Sequence, residues 1–120
     1  AQLHHELAEM YYSYGRYEEA LFEYDKAKAL SPENLEYVTK IAKTYAKKGL
    51  VSKAFEVLRK LKLEQPQYVP ARLALGILYY GSGNVIEAQN EWRRVLAIEP
   101  SNPEAKSFLN LSETATETTL

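Results

Sequence analysis

The chain has 120 residues, 46% of them hydrophobic, and a formal net charge of −1. That is enough apolar material for one folded domain, and the near-neutral balance argues against a general binder of nucleic acid or acidic membrane. There is no cysteine, which excludes disulfides, thiol catalysis and thiolate metal sites and leaves the compartment open.

No apolar run reaches the roughly 18 residues of a membrane span, so no direct membrane insertion is expected. No cleavable signal is visible. The first residue is Ala1 rather than Met, so the sequence reads as a fragment or processed product.

Segment 3–14 places Leu3, Leu7, Ala8, Met10, Tyr11 and Tyr14 at helical spacing until Gly15 interrupts it. Segment 17–30 resumes with Tyr17, Ala20, Leu21, Tyr24, Ala27 and Leu30, and Pro32 closes it. Tyr37, Val38, Ile41, Ala42 and Tyr45 then lead to Gly49, and Val51, Ala54, Phe55, Leu58 and Leu61 lead to Pro66. Pro70 suits the first turn of a fifth helix. There Leu73, Leu75, Gly76, Leu78 and Tyr79 lead to Gly83, and Val85, Ala88, Trp92, Val95 and Ile98 lead to Pro100. A seventh helix is expected over 103–111, starting at Pro103, with Ala105, Phe108, Leu109 and Leu111 on its apolar side. From Ser112 the composition turns to Ser, Thr and Glu, and 112–120 reads as a frayed tail or linker.

The elements recur in one register. Tyr11, Tyr45 and Tyr79 are 34 residues apart, as are Gly15, Gly49 and Gly83, then Ala20, Ala54 and Ala88, then Pro32, Pro66 and Pro100. Such a period marks a stack of small helical units. The repeats fall at 1–34, 35–68 and 69–102, with the helix 103–111 covering the open end. Each shared position has a physical task. Ala8, Ala42 and Gly76 are small where paired helices must approach closely. Tyr24, Leu58 and Trp92 fill the gap between repeats. The glycines sit where a left-handed residue ends the first helix.

This register resembles the tetratricopeptide repeat, a 34-residue helix–turn–helix unit. Repeat one carries the pattern as Leu7, Ala8, Tyr11, Gly15, Tyr17, Ala20, Tyr24, Ala27 and Pro32. Repeat two has Ile41, Ala42, Tyr45, Gly49, Val51, Ala54, Leu58, Leu61 and Pro66, and repeat three has Leu75, Gly76, Tyr79, Gly83, Val85, Ala88, Trp92, Val95 and Pro100. The resemblance implies an all-α, right-handed superhelical α-α solenoid with a C-terminal capping helix. Two departures stand out. The large residue that often opens the first helix is His4, Val38 or Arg72 here, none aromatic. Glu64 replaces the apolar residue matched by Leu30 and Ile98, which should slightly loosen the packing nearby.

The resemblance also implies that the first helices line a concave groove for a partner segment. Its candidate residues are Glu9 and Tyr12 in repeat one, Lys40, Lys43 and Lys47 in repeat two, and Leu73, Ile77 and Tyr80 in repeat three, with Phe108 extending it. Helical spacing adds to this independently. Leu73, Ile77 and Tyr80 lie three and four apart, on a face other than that of Leu75, Leu78 and Tyr79. Repeat three is thus apolar on two faces. Burial of Leu73 and Ile77 under the capping helix or a neighbouring domain is the alternative.

Charge is unevenly spread. Residues 1–34 carry seven acidic and three basic side chains, and 35–68 carry three and eight. Lys40, Lys43 and Lys47 share one face. They read either as a solvated surface or as a means of steering an acidic segment. Some chaperone-binding members of the family clamp a terminal carboxylate. The matching positions here are His5, Glu9, Lys40, Pro70 and Ala74, of which only Lys40 could serve, and Glu9 would repel the ligand. The implied partner is instead a protein or peptide with an apolar helix or extended segment plus acidic residues.

Nothing points to an enzyme. His5 and Glu9, one turn apart, make a two-ligand metal fragment without a third ligand. Phosphate-loop, HExxH and nucleophile-elbow motifs are missing. The glutamates read as solvated helix faces, and neither cofactor nor metal is expected. The leading function is a protein-interaction scaffold or adaptor. The alternatives are a structural or self-assembly domain, forming homo-oligomers, and a regulatory part of a longer chain that carries an enzyme.

Overall fold

A computed structural model of the chain describes residues 1–119, with side chains through Thr114. Among the described residues there are seven helices and no strand: α1 (Gln2–Ser13), α2 (Tyr17–Leu30), α3 (Glu36–Lys47), α4 (Val51–Glu64), α5 (Val69–Gly81), α6 (Val85–Ile98) and α7 (Pro103–Thr119). The fold is an all-α helical repeat. It comprises two compact units, Ala1–Lys60 and Leu61–Leu120.

The three glycines end the first helix of each repeat in one way. Gly15, Gly49 and Gly83 have φ of 75°, 87° and 83°, the left-handed region that costs other residues a steric clash. After α1, the Gly15 N–H donates to the Tyr12 carbonyl at 3.0 Å and the Arg16 N–H to the Tyr11 carbonyl at 2.9 Å. The same pair of bonds recurs from Gly49 to Ala46 and Leu50 to Tyr45, and from Gly83 to Tyr80 and Asn84 to Tyr79. This is the Schellman arrangement, which satisfies carbonyls the helix would leave open. The repeated Tyr and the repeated Gly are therefore two ends of one device.

In the N-terminal unit, Ala8, Ala20, Tyr24 and Ile41 form a buried cluster, with Tyr11, Tyr12, Leu21 and Tyr45 packed on it. In the C-terminal unit, Val69, Leu73, Ala88, Trp92, Val95, Ala105 and Leu109 do so, flanked by Tyr79, Leu96, Ile98 and Phe108. Gly76 explains why the small-residue position shrinks further in repeat three. A Cβ there would lie 2.6 Å from Cε2 of Trp92 and nearer still to its indole nitrogen. Repeat one combines Ala8 with Tyr24, whereas the larger indole requires no side chain at all. Trp92 Nε1 is buried with no hydrogen-bond partner among the described residues.

Three sequence expectations need correction. The helix expected to end at 111 runs on to Thr119. Two of its polar residues are accommodated by local bonds. Ser112, buried, donates from Oγ to the Leu109 carbonyl at 2.8 Å and accepts from Gln89 Nε2 at 3.0 Å, and Thr114 Oγ1 donates to the Asn110 carbonyl at 2.8 Å. Glu91 does not lie on a solvated face. It is buried between Lys62 Nζ at 2.6 Å and Arg72 Nη1 at 3.1 Å, so two cations compensate its desolvation. Arg72, a departure from the aromatic pattern, thereby ties α5 to α6. Finally, Glu64 costs no packing relative to Leu30, because both are exposed; only Ile98, at the same register position, packs against a core.

Gly76→Ala should lower stability by about 1–3 kcal/mol through overpacking. In a Trp92→Leu background, which recreates the Ala–Leu combination at these register positions of repeat two and removes an unsatisfied donor, it should cost far less. Urea denaturation of the four proteins of this double-mutant cycle measures the coupling, and additive effects would contradict the close-approach account.

Candidate functional site

The candidate residues fall into one set in each unit. In the N-terminal unit α1, α2 and α3 bring Glu9, Tyr24, Lys40 and His5 together. Glu9 Oε1 accepts from the Tyr24 hydroxyl at 2.8 Å and lies 3.1 Å from Lys40 Nζ and 3.4 Å from His5 Nε2. The His5 ring stands edge-on to Tyr24 and Tyr37, with centroids 6.4 and 5.4 Å away. The small Ala8 lets α2 approach closely enough for Tyr24 to reach across to α1. Partial burial raises the Glu9 pKa, but the hydrogen bonds from Tyr24 and Lys40 and the positive charge of Lys40 outweigh it, and the net direction is below the ordinary carboxylate value. Burial and the carboxylate of Glu9 push the Tyr24 phenol far up, so it stays a neutral donor.

The Lys stripe thus divides. Lys40 is engaged by Glu9, while Lys43 and Lys47 are exposed. Lys43 Nζ stands 5.8 Å from the centroid of the Tyr12 ring, a cation–π geometry. Tyr12 packs edge-on against Tyr17 at 5.5 Å, and its hydroxyl is buried without a hydrogen-bond partner among the described residues. Burial raises its pKa, with Tyr17 and Glu9 adding to the effect.

In the C-terminal unit the apolar set divides. Leu73 is only 8% exposed and belongs to the core. One turn on, Ile77 is 52% exposed and Tyr80 39%. The Tyr80 ring lies 6.0 Å from that of Trp92, and Trp92 lies 5.2 Å from half-buried Phe108. Helices α5, α6 and α7 thus share an aromatic row whose two ends, Tyr80 and Phe108, reach the surface. Leu111, 64% exposed on α7, was not among the sequence candidates for this face. The signal was present, because Leu111 stands 34 residues after Ile77. Glu9, Lys43, Ile77 and Leu111 occupy one register position with acidic, basic, apolar and apolar side chains.

Among the described residues, no group of three His, Cys, Asp or Glu side chains could hold a metal ion, and no helix is long and apolar enough to cross a membrane. The arrangement offers surfaces: a paired carboxylate and exposed lysines in one unit, and an aromatic-backed apolar face in the other.

A family model described as TPR repeat matches residues 8–49. The first TPR domain of Spaghetti (RPAP3), solved bound to the HSP90 peptide SRMEEVD, matches with a TM-score of 0.80 at 25% identity, over 97% of this chain and 94% of that one. The first TPR domain of human RPAP3 gives 0.80 and 25%, over 98% and 92%. The TPR domain of Arabidopsis OM64 gives 0.76 at 22%, over 99% and 95%, a likeness of fold. No curated protein matches the chain in sequence. The tetratricopeptide resemblance read from the 34-residue register is thus borne out.

The lowered pKa of Glu9 fixes the sign of one prediction. A carboxyl that is more acidic folded than unfolded contributes stability above its unfolded value, near 4.5, and loses it as pH falls through the folded value. Urea denaturation of wild type and Glu9→Gln at pH 7 and at pH 3 should therefore show a stability gap that narrows on acidification. An unchanged gap would contradict the Tyr24–Glu9–Lys40 linkage.

Proposed function

We propose that the chain is a protein-interaction module that receives a partner segment on the faces of its first helices, with the α5–α7 face as its main apolar contact. The observation that carries this is the exposure of Ile77, Tyr80 and Leu111 on helices that already bury another face. A purely structural helix needs one apolar stripe. A second one left open is surface whose burial is worth about 25 cal/mol per Å² to a partner.

The exposed Lys43 and Lys47 favour acidic residues in that partner, chiefly by speeding encounter. The RPAP3 domain solved with a peptide ending in acidic residues supports a peptide or protein as ligand. Lys40, already paired with Glu9, does not offer its charge to a ligand carboxylate in the same way. The proposed partner therefore carries an apolar segment and acidic residues, held by side-chain burial rather than by a carboxylate clamp.

The test is affinity capture with wild type beside an Ile77→Asp, Tyr80→Ala double variant, with circular dichroism confirming that the variant folds. Both positions are exposed, so the helical signal should persist while wild-type partners are lost. Identical partner sets from the two proteins would sink the proposal. Size in solution that rises with concentration and is abolished by the same double variant would favour self-assembly on this face instead.

A further inference from the structure

One face of α1 stands apart from its counterparts. Leu3, Leu7, Met10 and Tyr14 recur at spacings of three and four and form a continuous apolar stripe. Leu3 is 65% exposed, Met10 43% and Tyr14 75%. The repeat register supplies a comparison within the molecule. The positions of Leu3, Leu7 and Met10 correspond to Tyr37, Ile41 and Thr44 in α3 and to Ala105, Leu109 and Ser112 in α7, all buried. In α3 that face packs on the preceding helix α2, where Tyr24 and Ile41 share a core. In α7 it packs on the preceding helix α6, where Gln89 bonds Ser112. The covering element is a helix in both cases.

The rim of the α1 stripe indicates the charge of such a helix. Tyr11, a surface neighbour of Leu7 and Tyr14 at helical spacing, lines a pocket with Glu18, Glu19, Phe22 and Glu23 of α2. Glu6 flanks the stripe on the other side. The carboxylates are only locally answered. Glu18 meets Lys48 at 2.9 Å on a side chain that is 81% exposed, Glu19 meets Arg16, and Glu23 meets His4. The Glu18 and Glu19 pairs are exposed and weak enough to yield to a competing cation, whereas Glu23, its side chain 14% exposed, is held by His4. The acidic excess of residues 1–34 disfavours a second copy presenting the same face to this one.

We propose that the Leu3–Leu7–Met10–Tyr14 face of α1, with the acidic pocket beside it, docks an amphipathic helix of a partner protein that carries a basic flank. The helix seats its apolar stripe as α2 does on α3 and places a Lys or Arg against Glu18 and Glu19. This surface is separate from the α5–α7 face.

The probe is a synthetic peptide with the sequence of residues 17–30 bearing Glu18→Lys, Glu19→Lys, Glu23→Lys and Asp25→Lys, titrated calorimetrically into the full chain at low salt. It should bind, and a Leu3→Asp, Met10→Asp variant with unchanged helical content should bind at least about tenfold more weakly. The Ile77→Asp, Tyr80→Ala variant should bind it as wild type does, which keeps this test independent of the other face. The unmodified acidic 17–30 peptide should be the weaker ligand. Absence of binding, equal binding by the Leu3/Met10 variant, or equal binding of the acidic peptide would each overturn the proposal. So would self-association of the free chain that the Leu3/Met10 variant abolishes, since a second copy would then be the occupant.

Discussion

The close approach of the paired helices α1 with α2 and α5 with α6 is the constraint on which the rest depends. It is secured at two points. A left-handed glycine lets the carbonyls of the first helix be capped by the chain that starts the second. A small residue on the first helix meets a large one on the second, and the two sizes are matched. The indole of Trp92 leaves room only for Gly76, where Ala8 accompanies Tyr24. Interiors packed to crystal-like density transmit such size changes, so a larger residue on the second helix requires a smaller one on the first. Once helices are paired this tightly, one face of each first helix is left over, and that face is where chemistry can vary without unfolding the repeat.

The single register position of Glu9, Lys43, Ile77 and Leu111 shows this freedom. Its residues carry opposite charges in the first two repeats and none afterwards. Glu9 has become part of the scaffold, since Tyr24 and Lys40 converge on its carboxylate. Lys43 sits over an aromatic ring, and Ile77 and Leu111 stay open. One position thus yields an internal ion pair, a cation–π contact and two apolar surface residues, depending on what the neighbouring helix presents.

The helices, their order and their caps were legible in the sequence because periodicity and glycine position depend on local backbone physics. Three features were not. The extension of α7 was hidden because Ser112 and Thr114 are poor helix formers by propensity, whereas their hydroxyls bond helix carbonyls and Gln89. The burial of Glu91 was hidden because a glutamate's environment is set by Lys62 and Arg72, 29 and 19 residues away. The pairing of Lys40 with Glu9 was hidden for the same reason, since sequence spacing gives faces and not partners. Of the candidate groove residues, Ile77, Tyr80, Lys43 and Lys47 are exposed and Leu73 belongs to the core. Leu111, which could have been read from the register, joins the open ones.

In the proposed interaction, residues that keep the repeat build the scaffold, and residues that vary on the first-helix face meet the partner. The most direct measurement places a photoreactive amino acid singly at positions 43, 77 and 111, and at positions 53 and 87 on the second helices, then compares crosslinking to bound partner. Adducts are expected from 43, 77 and 111, with background levels from 53 and 87. Adducts arising from 53 and 87, with 43, 77 and 111 silent, would contradict it.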